Sequence, residues 1–276
     1  MIIELKKQDF KKCIKLLHDN GLIEVKAIIR GFNSGRVFVD DPISPSTGFV
    51  WQGNNDGFIF FGNENNLSFN QELNSFIEEK IKPEAAKVGL KWFEALGDHV
   101  DWHKSLEGIF LHRPLGSWNQ RVYQYRGNFH ALPKEAFLHN GYKVHKMDHC
   151  FYANKGVTNM EVMVDKVLDS WSSMREFFNS GIGYCVTFNN KIVSTCFTLF
   201  TDGTLHAIAI ETAIEHRGKK LAQHITYHFI QACVEAKKIP YWDCVEHNKP
   251  SIAVAEACGF KMVYRYSGYE FPIHSS

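Results

Sequence analysis

The stretch IAIETAIEHRGKKLA, Ile208 to Ala222, decides how the rest of this chain is read. It begins as an apolar, β-branched run, passes through a charged turn and continues with helical spacing. The first four backbone N–H groups of a helix have no partner inside it, and the aligned peptide dipoles leave that end partly positive. A strand that hands over to a helix at such a point offers a seat for a phosphate. Arg217, Lys219 and Lys220 add charge there, and Gly218 lets the main chain come close to a ligand. A solvated basic helix start would look the same on this stretch alone, so the flanking elements have to decide.

Downstream, Leu221, Ile225, Phe229 and Cys233 are spaced by four and predict a helix that ends before Ile239-Pro240. YWDCV follows as a strand, NKPSIAVAEACGF as a short helix closed by Gly259, and KMVYRYSGYEF as a last strand. Upstream, GYCVTF and KIVSTCFTLF read as a hairpin across the turn NN, and TDGT leads into the strand LHAIAIET. Val164 to Asn179 reads as one amphipathic helix, with Val167, Leu168, Trp171, Met174 and Phe178 on or near one face. The order after that helix is β–β–β–α–β–α–β, a mixed sheet with helices on its faces.

The first half repeats this order loosely. Phe10 to Leu17 is helix-like, GRVFVDD a short strand, and Phe49 to Trp51 with Phe58 to Phe61 a hairpin around GNNDG. Asn70 is the expected cap of a helix through Leu73, Phe76, Ile77 and Ile81, broken or restarted by Pro83. KWFEAL is a strand candidate and HVDWHKSLEGIF a short helix. No basic glycine turn follows FIFFGN, so the anion cradle is expected in the second half only. From SWNQRVYQYRG to HKMD the chain is polar, aromatic and poorly periodic, and the lobe boundary is placed there, giving lobes 1–130 and 131–276. The expected fold class is α/β (α+β), two lobes, each a mixed, mostly antiparallel twisted sheet flanked by helices.

With 276 residues, 45% of them hydrophobic and 22% charged, the chain can build one large core or two small ones. A formal net charge of +1 provides no global field toward nucleic acid or an anionic membrane, so any anion site must be local. MIIELKKQDFKKCIKLL alternates apolar and charged residues, unlike a signal peptide or a membrane span, and cytoplasm is the default expectation. The seven cysteines form no CxxC pair and mostly lie in apolar stretches, as small buried hydrophobes in a reducing compartment do.

The second half resembles the GNAT acyltransferases over roughly residues 150 to 270. Their acyl-CoA turn, Arg/Gln-x-x-Gly-x-Gly/Ala, is matched at both ends by Arg217-Gly218-Lys219-Lys220-Leu221-Ala222, with Lys220 in place of the middle glycine. A second motif, Asn-x-x-Ser/Ala followed by Gly-Phe at the helix end, is matched by Asn248, Ser251, Gly259 and Phe260. With its two-lobed layout, the chain looks most like the subgroup that includes the zwittermicin-resistance acetyltransferase. The resemblance implies an N-acetyltransferase that uses acetyl-CoA (coenzyme A) on an amine, with a splayed pair of strands holding the pantetheine arm. Backbone near Ile210 and Thr212 would pair with the pantetheine amides, and the amides of Gly218 to Ala222 would take the pyrophosphate. A strand N–H near Ile208 to Ile210 would polarise the thioester carbonyl.

The attacking amine must lose a proton, which calls for a base close to the thioester. His206 is the first choice, standing where similar enzymes carry a Glu or His; at a strand entrance its ring should titrate near about 6.5. Glu211 is the second choice, on the opposite strand face if no bulge intervenes. The tyrosine that many members carry seven residues after the motif Asn is Ala255 here; Tyr264 and Tyr266 are nearby but not assigned. His224 and His228 have metal-ligand spacing without the Glu of a zincin and read as solvated, and Asp98 to His103 reads as a capped helix start rather than a metal site. The aromatics Trp51, Phe60, Phe61, Trp92 and Trp102 are expected in the first core. The expected partner is a small-molecule amine, with neither nucleic acid nor membrane, and the oligomeric state is not legible. A non-catalytic ligand-binding or partner-binding protein of the same fold stays open, favoured by Lys220 and Ala255. A metal-dependent hydrolase lacks a complete ligand set.

Overall fold

The computed structural model describes residues 1–52, 57–127, 138 and 140–274. The chain forms two compact units, Met1–Gln120 with Tyr266–Ser276 and Arg121–Arg265.

The first unit contains β1 (Ile3–Glu4), a 3-10 segment (Lys7–Leu16), α1 (Ile23–Ile29), β2 (Arg36–Val39), β3 (Thr47–Trp51), β4 (Gly57–Gly62), α2 (Leu67–Phe76), α3 (Lys82–Lys87), β5 (Trp92–Gly97), α4 (Trp102–Phe110) and the start of β6 (Gly116–Tyr125). Strands β1 to β5 lie side by side in chain order. All neighbours are antiparallel except β4 and β5, which are parallel. The core is aromatic: Phe58 and Phe93 stack with centroids 4.0 Å apart, and Phe93 stacks on Phe271 at 4.9 Å. Trp51, Phe60, Phe61 and Trp102 are buried as expected, but Trp92, at the strand start, is 43% exposed.

Several local expectations for this unit are corrected. The cap of α2 is Asn66, not Asn70; its side-chain oxygen accepts from the Phe69 N–H at 3.2 Å. Around Asn66 the chain closes a polar knot, in which Asp40 accepts from the backbone of Ser46 and Thr47 and from the Asn66 amide. Pro83 has no N–H to continue an α-helical ladder, and the chain takes a π turn over Ile77–Ile81 before α3 begins. Asp98 caps no helix. It is buried at the end of β5 and accepts from the backbone N–H of Leu22 at 2.7 Å, pinning the chain before α1. Helix α1 itself shows no amphipathic period because six of its seven residues are buried. Most of the expected turn GNNDG, residues 53–56, lies outside the described residues.

The second unit takes over β6 and adds β7 (Tyr142–Lys146), α5 (His149–Tyr152), α6 (Met160–Leu168), α7 (Met174–Ser180), β8 (Gly183–Phe188), β9 (Lys191–Thr201), β10 (Leu205–Thr212), α8 (Leu221–Glu235), β11 (Ile239–Val245), α9 (Lys249–Ala257) and the start of β12 (Phe260–Pro272). Its strand order is β6-β11-β10-β9-β8-β7. The pairs from β7 to β10 are antiparallel, and β10 with β11 is parallel. Both units thus show three antiparallel pairings followed by a parallel one. Leu221, Ile225 and Phe229 of α8 and Ile252 and Ala255 of α9 pack on one sheet face with Ile208 and Trp242. Met163 and Val167 of α6 and Phe177 of α7 pack on the other with Cys185 and Phe197.

The stretch SWNQRVYQYRG is strand β6, and TyrLysValHisLys at 142–146 is strand β7 rather than irregular chain. The division into units falls between Gln120 and Arg121. The end of the chain belongs with the first unit because Gly268–Pro272 of β12 pairs antiparallel with β5, so a single cut does not describe it. The expected boundary residue, His130, lies outside the described residues. The single helix expected over Val164–Asn179 is two helices, α6 and α7, interrupted where Ser173 accepts from the Glu176 N–H at 3.2 Å. Among the described residues no helix is long and apolar enough to cross a membrane. Six of the seven cysteines are buried, Cys150 being exposed, and burial pushes the thiols of Cys13, Cys185, Cys233 and Cys258 up to about 12.

Removing the oxygen that starts α7 tests this interruption. Ser173→Ala should cost about 1 kcal/mol, as loss of an N-cap does, and lower the melting temperature by about 2–4 °C. Calorimetry that finds no change would show that the cap is not what starts the helix.

Candidate active site

The site begins where two parallel strands part. β10 and β11 are in register at Leu205↔Ile239, His206↔Pro240 and Ala207↔Tyr241, and their pairing stops there. On its other edge β10 stays paired with β9 as far as Thr212↔Ser194. From Ile208 onward one edge of β10 therefore faces open space. Two local features act at the point of parting. Pro240 has no N–H to give to a ladder. Opposite it, β9 carries one extra residue, since His206↔Thr201 is followed by Ile208↔Thr198. Such a bulge increases local twist and bends the strand.

Beyond Thr212 the chain makes a 3-10 turn, Ile214–His216, and then the basic loop. Gly218 has φ of 77°, and a Cβ placed there would meet nothing within 4 Å. Lys220, the last residue before α8, also lies in the left-handed region, with φ 58° and ψ 18°, and provides no side-chain cap. A residue with a Cβ pays roughly 1–2 kcal/mol in that conformation, which is why a glycine suits this place. The start of α8 is thus left uncapped by side chains and open. Arg217 Nε donates to the Thr212 carbonyl at 3.0 Å and Lys219 Nζ to the Glu215 carbonyl at 3.0 Å, so both side chains also brace the loop.

A cleft of about 600 Å³ lies between this loop, the free edge of β10 and the start of α9. Ile210, Glu211, Thr212, Arg217, Gly218, Lys220, Leu221, Ala222, Asn248 and Ser251 all line it, so nearly all the residues singled out in the sequence meet in one place. Lys219 and His206 do not line it. The sequence reading missed His216, Gln223, Pro250 and Val254, of which His216 stands directly before the recognised motif.

Asn248 and Ser251 have structural tasks in this geometry. Asn248 accepts from the Ser251 N–H at 3.2 Å and so caps α9, while Ser251 Oγ accepts from Trp242 Nε1 at 3.0 Å. Ala255 is fully buried between α9 and the sheet. Tyr264 shares a hydroxyl contact of 3.2 Å with Tyr241, and neither Tyr264 nor Tyr266 lines the cleft.

The two candidate bases separate clearly. Because the extra residue of the bulge is on β9, β10 keeps its alternation, with Ile208 and Ile210 toward α8 and Ala209 toward α6 and α7. Glu211 is exposed and paired with Lys166 of α6. His206 is only 2% exposed, and its Nδ1 is 2.9 Å from Thr198 Oγ1, a bond that spans the bulge. Burial, with the charge of Lys238 adding to it, pushes its imidazole down to about 4 rather than the expected value near 6.5; Asp202 opposes this weakly. The ring is neutral at neutral pH, is buried, and does not line the cleft where a base was expected.

One of the helix histidines is corrected too. His224 is buried and so is not solvated, while His228 is exposed as expected, with its ring 5.5 Å from that of Tyr184. Among the described residues there is no group of three or more His, Cys, Asp or Glu that could hold a metal ion.

The chain is similar to known proteins over most of its length. The chain is 28% identical over 236 residues to an uncharacterized N-acetyltransferase of Bacillus subtilis (strain 168), YdfB, covering 85% of each. A GCN5-related N-acetyltransferase-like protein from Streptococcus suis superposes with a TM-score of 0.65 at 18% identity, covering 96% of this chain and 98% of that one. A tandem GNAT protein from the clavulanic acid biosynthesis pathway superposes over 100% of both chains with a TM-score of 0.59 at 10% identity, the same two-lobed fold. The sequence model of the GNAT acetyltransferases matches residues 14–269, nearly the whole length, and the chain therefore belongs to the GNAT acetyltransferase family.

Proposed function

We propose that this N-acetyltransferase moves an acetyl group from acetyl-CoA to a primary amine of a small molecule by direct attack on the thioester. The observation that supports it most is the uncapped start of α8, with Gly218 and Lys220 both left-handed, opening into a cleft along the unpaired edge of β10. The residues fit the group. The space beside Gly218, where a Cβ would meet nothing, suits a phosphate approaching the main chain, and Arg217 and Lys220 supply charge. Backbone of Ile210 and Thr212 would hold the pantetheine amides in the manner of an added strand, and Gly218 to Ala222 the pyrophosphate. Acetyl-CoA supplies, when bound, an acyl carbon activated as a thioester, so that the amine gains an N–C bond while the C–S bond is lost.

The chain's own work is to deliver the amine uncharged. Glu211 is the candidate base that the geometry favours, being exposed on the cleft wall and held by Lys166. His206 acts as a tie across the bulge that parts the strands. A backbone N–H between Ile208 and Ile210 is the donor proposed for the thioester oxygen, and it needs no side chain.

Acetyl-CoA at a hundred times its Kd should stabilise the protein by about 2.7 kcal/mol in a thermal-shift measurement. Gly218→Asp, which sets a carboxylate in the cradle, should abolish that shift, and an undiminished shift would place the cofactor elsewhere. Once an acceptor is in hand, Glu211→Gln should lower kcat by roughly 10²–10⁴ with acetyl-CoA affinity nearly intact. A larger loss in His206→Gln than in Glu211→Gln would reverse the assignment.

The pH dependence of stability gives an independent check on His206. Its folded-state pKa lies below that of the unfolded chain, so its contribution is complete above about 6.5 and is lost as the pH falls toward 4. The full loss is about 3 kcal/mol. His206→Gln should flatten this part of the stability curve, and a slope unchanged by the substitution would contradict the burial assigned to the ring.

A further inference from the structure

One histidine on the cleft wall lies outside the recognised turn motif and is held in place from a distant part of the second unit. His216 ends the 3-10 turn that follows β10, one residue before Arg217, and lines the cleft. Its Nδ1 is 2.8 Å from the hydroxyl of Tyr142, the first residue of β7. The Tyr142 ring meets the imidazole edge-on, with centroids 5.6 Å apart and planes at 87°. Phe188, paired with Tyr142 across β7 and β8, packs on the imidazole at 5.3 Å. Gly141 leaves room for this, since a Cβ there would lie 2.9 Å from the Phe188 ring. Two strands, β7 and β8, thus hold one imidazole of the loop.

The contact to Tyr142 bears on what the ring can offer. In a neutral imidazole the Tyr142 O–H can donate to Nδ1, which puts the proton on Nε2, or accept from Nδ1–H, which leaves Nε2 an acceptor; in a charged ring both nitrogens carry protons. With Tyr142 as the donor Nε2–H is free to donate outward, and among the described residues no hydrogen bond is made to Nε2. The charge around it is positive: Arg217 and Lys220 share the cleft wall, and Lys219 Nζ lies 5.8 Å from the Tyr142 ring centroid. A fixed N–H donor in a basic cleft matches a phosphoryl oxygen better than it matches a carbonyl or an amine.

We propose that His216 is a phosphate-recognising residue of this enzyme, its Nε2–H donating to a phosphoryl oxygen of the coenzyme A nucleotide, and that Tyr142 is the positioning residue that selects the donor tautomer. The proposal rests on the reading of the cleft as the coenzyme A site and adds to it a side-chain contact that the turn motif does not contain. His216 takes no part in the chemistry of transfer. Its contribution is to affinity and to the choice of a phosphate-bearing acyl carrier over one without phosphates.

Binding measurements on the full chain with coenzyme A test it. A hydrogen bond to a charged acceptor corresponds to roughly a tenfold to hundredfold change in affinity, so His216→Ala should weaken coenzyme A binding by about that factor. His216→Gln, whose amide N–H can take the place of Nε2–H, should recover most of it. Dephospho-coenzyme A distinguishes the phosphates. An equal loss with both ligands assigns His216 to the pyrophosphate, and a loss confined to coenzyme A assigns it to the 3′-phosphate. For Tyr142, side-chain 15N spectra of the free protein should show His216 as the Nε2–H tautomer, identified by its absence in His216→Gln. Tyr142→Phe should turn that signal into a mixture without lowering the melting temperature appreciably, an effect that loss of packing alone would not produce. If wild type binds coenzyme A and His216→Ala binds it equally well, the role of His216 is overturned while the site stands. If wild type binds no coenzyme A, the reading of the cleft fails and the proposal fails with it. A Tyr142→Phe spectrum identical to wild type overturns the positioning role.

Discussion

The early parting of β10 and β11 is the constraint on which the site depends. A parallel pair normally satisfies both strands along their length, and an unpaired inner edge would leave backbone groups short of partners. Here the pairing ends at Ala207↔Tyr241, and the two strands go on to separate neighbours. The extra residue in β9 and the missing N–H of Pro240 are both at the point of divergence. The hydrogen bond between His206 and Thr198 spans that bulge from inside the core, where a charged ring would be costly. The buried His206 thus stands where the two strands part.

The basic loop is bound to the same geometry. Because β10 remains paired with β9 up to Thr212, the 3-10 turn and the two left-handed residues that follow start from a fixed point. Arg217 and Lys219 fold back on carbonyls of their own loop and stiffen it without closing it. Lys220 keeps the left-handed conformation at some cost, which shows that the shape of the turn is imposed by the strand and helix on either side of it, not by local preference.

The turn motif and the helix after it were legible because they depend on neighbours in sequence: Leu221, Ile225 and Phe229 repeat with the helical period, and the glycine and basic residues cluster within one turn. The residues of the cleft followed from there. The break between α6 and α7 was not legible, since the apolar period runs straight through Ser173 and only the cap reveals it. Strand β6 was missed because much of it is only partly buried, and α1 because it is buried nearly all round. His206 was read as a base titrating near its ordinary value because it stands at a strand entrance; its burial against Thr198 overrides that. His216 escaped because the partner that gives it meaning, Tyr142, is 74 residues away in the chain.

The polar knot at the start of α2 has a further consequence. At the junction from β4 to α2, which matches that from β10 to α8 in element order, Asn66 gives its own oxygen to the Phe69 N–H, and the carboxylate of Asp40 accepts from its amide. The first unit thus supplies an internal oxygen to its helix start, while no side chain caps the start of α8 in the second. If the cleft of the second unit seats an anion, a few side chains at one helix start are enough to withhold such a seat from the first, with no change of strand order. The junction from β4 to α2 is then the place where an exchange of side chains would have to open one.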